Sequence, residues 1–470
     1  MSTALVEGRT YLTHTLVKRI RTLLGNRLHF DARELLRGGA TALILKLAGT
    51  ACLYLLVYLI NRFYGAAVYG SYAFFVSTLK MMGVVAVFGI DIFSLRHISE
   101  MITKDEWGSI RQMTRHSYRA ILLMGAMVTV TAAAAAVWAA PILQVPVWFI
   151  LLLAGMVLPF AFNNFHLQCF RSEKNILLFA GINFLLIPLL SILVIGFFGY
   201  VEPAWSPADY WVPLLTHSGV ILSVALLGGL LWNGTLRRQR KWHQQFTDKV
   251  VSGSVASMWR FGFPFLLAST SVFFASWVVQ FGLKIWSGDV EVAIYDVSFR
   301  IGLLTILPLM AVNAIAAPKF SGFYGKGDLV GLQRTAQYAT LATIVISCSI
   351  ALFIYCFPEF LLDVFGEAYQ GAVPVLLTIT IAHVVNAVAG PNGNILLMSD
   401  NQELFKNIVL FSSIITAILS VFLVRWYGAW GAAMTYTVFS SLNNGLQIYF
   451  VHQRLGIHTF PTKIFRRLFR

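Results

Sequence analysis

Twelve apolar stretches, arranged as two similar halves, limit most strongly what this chain can fold into. Each is long enough to cross a hydrocarbon core of about 30 Å at about 1.5 Å per residue. Of the 470 residues, 58% are hydrophobic and only 12% are charged, a balance that a water-soluble fold cannot bury. The sequence therefore predicts an all-α polytopic membrane protein. The predicted spans cover 38–62, 69–92, 118–140, 147–170, 176–199, 211–234, 261–283, 291–316, 335–357, 371–398, 404–424 and 429–452.

The two halves align without gaps at two places. A shift of 223 residues places 65–72 on 288–295, and a shift of 232 places 174–179 on 406–411. Internal repeats of this kind are typical of transporters, whose binding sites lie between the repeats. We therefore expect two six-helix lobes related by a pseudo-twofold axis. The predicted segments are an amphipathic N-terminal segment (1–37), an N-lobe (38–235), a basic linker (236–260), a C-lobe (261–453) and a basic tail (454–470).

The positions of the 35 Lys and Arg predict the topology. Most fall in the termini and in the loops that follow even-numbered spans. The exceptions are three in the opposite loops and three inside spans, namely Arg62, Lys284 and Arg425, and Lys46, Lys80 and Arg300. This asymmetry predicts that both termini lie in the cytoplasm. The net charge of +15 is then explained by topology and by attraction to anionic lipid, and does not indicate a nucleic-acid partner.

Signatures of catalysis are missing from the sequence. The four cysteines are scattered without CxxC spacing and indicate neither a metal nor a disulfide. No Walker A sequence is present, so we expect no ATP hydrolysis. The longest predicted outer loop, about 200–210, leaves no room for a soluble catalytic domain. We expect neither enzyme activity nor a cofactor.

The three cations inside the spans are the first candidates for a binding site. Lys80 and Arg300 lie about 14–17 Å from the outer ends of their predicted spans, and Lys46 lies deep in the first span. A charge there costs about 3 kcal/mol on insertion scales, so it is a candidate by default. Such cations suit an anionic headgroup such as a pyrophosphate. Alternatively, Asp296 neutralises Arg300 at i, i+4.

For Lys80, the alternative to a ligand is that its chain snorkels or meets Asp91 or a backbone carbonyl. Arg37 and Arg260 correspond under the 223 shift at the cytoplasmic mouths of two spans. They serve either as positive-inside anchors or in gating and capture. His383, deep in span ten, and Asp91 are the candidate proton carriers, because an imidazole titrates near neutrality.

Amides in spans four and ten form a second polar group. Asn163 and Asn164 lie near Pro159, and Asn386 and Asn392 lie near a Gly-Pro pair. Breaks in a helix at this depth are tolerated where the backbone lines a cavity or is buried in protein. The amides either hold sugar hydroxyls or hydrogen-bond between helices.

Two runs resemble a known family. The run 58–73, followed by 84–91 and Leu95-Arg96, resembles the first hairpin of Wzx-type polysaccharide-biosynthesis flippases. These flippases belong to the multidrug/oligosaccharidyl-lipid/polysaccharide (MOP) exporter superfamily. The run Tyr427-Gly-Ala-Trp-Gly-Ala-Ala433 is similar to the family's YG-x-x-GAA entry into the last span.

The resemblance implies a MATE/MOP-like fold and a flippase working by alternating access. Its substrate would be a polyprenyl-pyrophosphate-linked oligosaccharide, carried to the outer leaflet of a bacterial inner membrane for O-antigen, capsule or exopolysaccharide assembly. The implied partners are this lipid, other membrane lipids, a polysaccharide polymerase and further assembly proteins. The alternative is a multidrug/cation antiporter of the same superfamily, whose cavity would need acidic groups.

Overall fold

The computed structural model describes residues 30–201, 211–242, 266, 270, 273–274 and 276–461, which are almost wholly helical. Its helices are α1 (Phe30–Tyr64), α2 (Ala66–Val87), α3 (Ile90–Thr103), α4 (Trp107–Ile142), α5 (Val147–Ser172), α6 (Ile176–Ala180), α7 (Ile187–Val201), α8 (Trp211–Trp242), α9 (Asp289–Leu303), α10 (Leu307–Gly325), α11 (Leu329–Cys356), α12 (Pro358–Asp363), α13 (Val373–Ala389), α14 (Asn392–Met398) and α15 (Gln402–Leu455). Residues 276–286 are also helical and belong to the seventh span. The predicted segment 1–29, most of the linker and the tail from 462 lie outside the described residues.

Ten of the described helical stretches are long and apolar enough to cross a membrane. A π-helical turn, Gly181–Leu186, joins α6 to α7, and a 3-10 turn, Leu304–Ile306, joins α9 to α10. Each joined pair therefore crosses as one span. The protein is a multi-pass helical membrane protein, as its composition predicts.

Helix α15 contains both of the last two predicted spans. Its backbone leaves the helical conformation at Gly428, where φ is 55° and ψ is −134°. A Cβ at Gly431 would lie 1.9 Å from the carbonyl oxygen of Leu423, so the chain folds back on itself at this point. The Glu291 carboxylate accepts a hydrogen bond of 2.6 Å from the Ala429 amide and caps the returning arm. The YG-x-x-GAA run is therefore the hinge of a helical hairpin.

Two predicted spans are too long at their cytoplasmic ends. The second was predicted to reach residue 92, but α2 ends at Val87 because Phe88 and Gly89 adopt left-handed conformations. The tenth was predicted to reach 398, but α13 ends at Ala389. Gly390 has a φ of 77°, and the following Pro391 has no N–H to continue the helical ladder.

The two lobes begin their equivalent helices in the same way. Gly65 before α2 has φ 85° and ψ 169°, and Gly288 before α9 has φ 85° and ψ −175°. Both conformations favour glycine. The register of the 223-residue shift is thus repeated in the backbone, which confirms the predicted pair of related lobes.

The lobes meet at their outer ends. A Cβ at Gly70 on α2 would lie only 1.8 Å from the carbonyl oxygen of Asp289, so the two backbones touch there. The Tyr369 hydroxyl donates to the Asn61 side-chain oxygen of the opposite lobe over 2.5 Å. These contacts close the outer side of the space between the lobes.

Candidate functional site

Arg300 sits in the last turn of α9, held by a carboxylate one turn earlier. Its Nε lies 2.5 Å from Asp296 Oδ2, and the two side chains are 19% and 9% exposed. The i, i+4 spacing places both groups on one face of the helix. The structure thus forms the ion pair that was one of the two sequence interpretations, although the guanidinium keeps an open side.

Two tyrosines of the N-lobe bind this pair. The Tyr69 hydroxyl on α2 accepts a hydrogen bond of 3.0 Å from Arg300 Nε and donates one to Asp296 Oδ2. The Tyr54 hydroxyl on α1 donates to the backbone oxygen of Arg300. Arg300 is therefore linked to both lobes.

Lys80 has different surroundings. Its side chain is exposed, and it makes no ion pair or hydrogen bond with any other described residue. Thr78, two residues earlier on α2, contacts Trp277 of the C-lobe over 3.1 Å, so this part of α2 lies at the boundary between the lobes. Pairing with Asp91, one of the alternatives considered for Lys80, is not formed, because Asp91 follows the turn at Phe88–Gly89 and lies in the first turn of α3.

Lys46 lies further toward the cytoplasm. It is half-buried, with Nζ 3.7 Å from the Met310 sulfur and 5.6 Å from the centre of the Phe184 ring. Counted from the outer ends of α9 (300 − 289 = 11), α2 (80 − 66 = 14) and α1 (64 − 46 = 18), the three cations are about 16, 21 and 27 Å deep at about 1.5 Å per residue. They form a series of positive charges that leads from the cytoplasmic half of the cleft to its closed outer end.

Charge in the described part of the cleft is positive. Lys46, Lys80 and Arg300 contribute three positive charges and Asp296 one negative charge, leaving 3 − 1 = +2. In a narrow space with low-dielectric walls such a charge attracts anions. The pairing of Asp296 with Arg300 also leaves this carboxylate less available to a cationic ligand.

The four amides are placed unequally. Asn164 and Asn386 are half-buried, whereas Asn163 is 3% exposed. Asn392 is fully buried and its amide donates to the Ala389 carbonyl over 2.5 Å. This bond ties the start of α14 to the last residue of α13. All four amides stay predictions.

The candidate proton carriers lie away from the charged cleft. His383 is fully buried, with its ring centre 5.1 Å from that of Phe299 and 5.3 Å from that of Tyr436. Burial raises the pKa of Asp91 above its usual value, which favours the protonated carboxyl. Both roles stay predictions.

The predicted gating pair is only partly covered by the structure. Arg37 lies on the first helix, α1. Arg260 lies outside the described residues.

The sequence did not single out the residues that join the lobes. Besides the tyrosines, the Trp277 indole N–H donates to Thr78 Oγ1 over 3.1 Å. Lys284, predicted as an outer-loop cation, is 2% exposed and pairs with Asp289 at 2.5 Å. The sequence feature that could have identified the tyrosines and Thr78 is a hydroxyl group within an apolar helix, because a buried hydroxyl needs a hydrogen-bond partner.

Fold and site together define a two-lobed, multi-pass helical membrane protein with a cationic cleft between the lobes. Residues 264–423 match the MatE family model. No curated protein matches the chain. The match covers much of the C-lobe, and solved structures extend the likeness to nearly the whole chain.

One such structure is a multidrug resistance MATE family transporter of the MOP superfamily in an inward-facing conformation. It is 16% identical, covers 88% of this chain and 98% of its own, and superposes with a TM-score of 0.70. An outward-facing structure of a multidrug resistance MATE family transporter is 15% identical and covers 89% of this chain and 95% of its own, with a TM-score of 0.56. A MATE protein in a bent conformation is 16% identical and covers 90% and 95%, with a TM-score of 0.59. The chain therefore has the MATE fold.

Proposed function

We propose that this protein moves a polyprenyl-pyrophosphate-linked oligosaccharide from the cytoplasmic to the outer leaflet of a bacterial inner membrane, for polysaccharide assembly. The observation that carries the proposal is the placement of Lys80 and Arg300. One comes from each lobe. Arg300 of the C-lobe contacts Tyr69 on α2. Lys80 lies further along α2, two residues after Thr78, which contacts Trp277 of the C-lobe. A site built by both lobes can bind its ligand in one leaflet and release it in the other as the lobes rock.

The chemistry of the two cations suits a pyrophosphate. Arg300 uses Nε for both Asp296 and Tyr69, and its two terminal nitrogens bind none of the residues that the structure describes. These form a planar fork that matches two phosphate oxygens. Lys80 adds, from the other lobe, an ammonium that has no ion-pair or hydrogen-bond partner among the described residues, and a second phosphate would lie there.

The direction of transport agrees with the charge of the ligand. When the inside of the membrane is negative, moving one negative charge outward is favourable by about 2.3 kcal/mol per 100 mV. The sugars would occupy the cleft beside Asn164 and Asn386, while the prenyl chain stays in lipid. A polysaccharide polymerase would use the product at the outer face.

The alternative function is export of cationic drugs. It is favoured by the likeness to structures of multidrug resistance MATE family transporters. Against it stands the charge of the cleft, because a cationic ligand would have to displace Arg300 from Asp296 next to Lys80. The sign of the transported charge separates the two functions.

The test uses the purified protein in liposomes that contain a polyprenyl-pyrophosphate oligosaccharide in the inner leaflet. An external glycosidase reports the sugar that reaches the outer leaflet, and a parallel sample measures efflux of a cationic dye. We expect transfer of the lipid without dye efflux. For alanine variants of Lys80 and Arg300, the matched control is Lys104→Ala, because Lys104 is an exposed cation that pairs with Glu100. Dye efflux without lipid transfer would replace the proposed function with the alternative.

A further inference from the structure

The phenol of Tyr69 is the N-lobe group that touches the charged pair of the C-lobe directly. It accepts from Arg300 Nε over 3.0 Å and donates to Asp296, so a single hydroxyl satisfies both members of the pair. The side chain is fully buried. Hydrogen bonds in such surroundings are strong, and an unmade one is costly.

We propose that Tyr69 acts as a ligand-released latch: it positions Arg300 for an anion and holds the outer side closed until the anion arrives. This inference rests on the anionic ligand of the proposed function. While the cleft is empty, Arg300 is tied to the opposite lobe through Tyr69, and Tyr54 adds a bond to the Arg300 backbone. The outer ends of the lobes are then held together.

A bound anion changes the balance at Arg300. Phosphate oxygens on the terminal nitrogens compete with Asp296 for the single positive charge of the guanidinium, and they repel the carboxylate. Arg300 then turns its charge toward the anion, its bond to the Tyr69 hydroxyl weakens, and the charged contact through which Tyr69 holds the outer side closed is lost.

The chain offers a matched control on the same helix. Tyr72 lies one turn after Tyr69 and is also buried. Its hydroxyl pairs with His217 Nδ1 over 3.2 Å, within the N-lobe. Tyr72→Phe therefore removes a buried hydroxyl without removing a bond between the lobes, which Tyr69→Phe does remove.

The experiment measures the distance between the outer ends of the two lobes by double electron–electron resonance between spin labels. Labels replace Trp138 and Phe360, which are 74% and 65% exposed and belong to different lobes, in a chain whose four cysteines are changed to alanine. The probe is farnesyl pyrophosphate, with farnesol as the uncharged control. We expect farnesyl pyrophosphate, but not farnesol, to raise the outer-open fraction of the native chain.

Tyr69→Phe should raise the ratio of outer-open to outer-closed protein about fivefold without ligand, the effect of one net hydrogen bond. Tyr72→Phe should match the native protein, and Asp296→Asn should open the outer side as Tyr69→Phe does. Equal distances in Tyr69→Phe and Tyr72→Phe would overturn the latch, whatever farnesyl pyrophosphate does. Opening in Tyr69→Phe with no response of the native chain to farnesyl pyrophosphate would overturn release by an anion, and would count against the proposed function separately from the contact itself.

Discussion

The second span of the chain, in the N-lobe, and the eighth, in the C-lobe, begin alike but differ in how each holds its cation. Both follow a glycine with φ 85°, and both carry a buried tyrosine at the corresponding position, Tyr72 and Tyr295. Deeper in the membrane, Arg300 is bound by an acid and a hydroxyl, whereas Lys80 is open to the cleft. The repeat gives both helices the same backbone conformation at their start, whereas the contacts of their cations differ between the lobes.

This inequality separates two tasks that a symmetric pair of cations could not divide. A cation tied to the opposite lobe can report that a ligand has bound, because its bonds change when the ligand arrives. A cation that has no partner in the described part of the chain can attract the ligand without breaking a bond there. Arg300 suits the first task and Lys80 the second.

The largest effect should come from Lys80, the cation for which no partner is found within the described ranges. Lys80→Ala should weaken binding of the lipid pyrophosphate by about 2 kcal/mol, or about thirtyfold, the value of a hydrogen bond to a charged group. Lys80→Arg keeps the charge and should retain most of the leaflet transfer, measured with the external glycosidase. If Lys80→Ala transfers lipid at the native rate, the open cation has no role in binding.

The bound cation should respond to shape as well as charge. Arg300→Lys keeps the positive charge but removes the fork, so we expect a loss of about 1.4 kcal/mol, or tenfold, in the same assay. Lys80→Arg is the matched control, because it exchanges the same two residue types at the other position. Equal behaviour of the two exchanges would mean that the two cations are equivalent after all.

Contact between the lobes can be tested at Gly70, whose place in the repeat is taken by Ala293 (70 + 223 = 293). A methyl group at Gly70 would meet the Asp289 backbone oxygen, so Gly70→Ala should destabilise the outer-closed form by about 1 kcal/mol or more. Labels at the outer ends should then report more open protein. Gly196→Ala on α7, where nothing lies within 4 Å, should show the native distances. An unchanged distance in Gly70→Ala would show that the backbones can separate there without opening the lobes.

The shared part of the two spans should respond equally. Gly65→Ala and Gly288→Ala each place a side chain at φ 85° with an extended ψ and with nothing within 4 Å, so each should lose about 1 kcal/mol or more of stability from backbone strain alone. Thermal unfolding in detergent measures both, with Gly219→Ala as the control in open space on α8. A cost at only one glycine would argue against equivalent backbone turns.

The smallest effect is expected at Lys46. Its contacts with the Met310 sulfur and the Phe184 ring are weak, and it lies near the cytoplasmic half of the cleft. Lys46→Gln should lower the rate of leaflet transfer by about twofold through weaker attraction of the anion, with the loss fading at high salt. A loss that matches Lys80→Ala and persists in salt would place the headgroup deeper toward the cytoplasm.

The fold was largely predictable because apolar length and glycine position act locally. Span lengths, the register of Gly65 and Gly288, and the Asp296–Arg300 pair all follow from short-range spacing. The end of α2 was missed because the chain stays apolar through the turn at Phe88–Gly89, so hydropathy carried no sign of it. The contacts of Tyr69 and Tyr54 with Arg300 join residues more than 230 positions apart, and no spacing rule pairs them.

The most direct measurement is the binding of farnesyl pyrophosphate to the purified native protein, to Lys80→Ala and to Arg300→Ala, with a farnesyl ammonium compound as the cationic counterpart. If the two cations hold one anion between the lobes, the native protein binds the pyrophosphate and not the ammonium compound, and each variant binds the pyrophosphate at least about tenfold more weakly. Unchanged pyrophosphate binding in both variants, or preference for the ammonium compound, would contradict an anion site between Lys80 and Arg300.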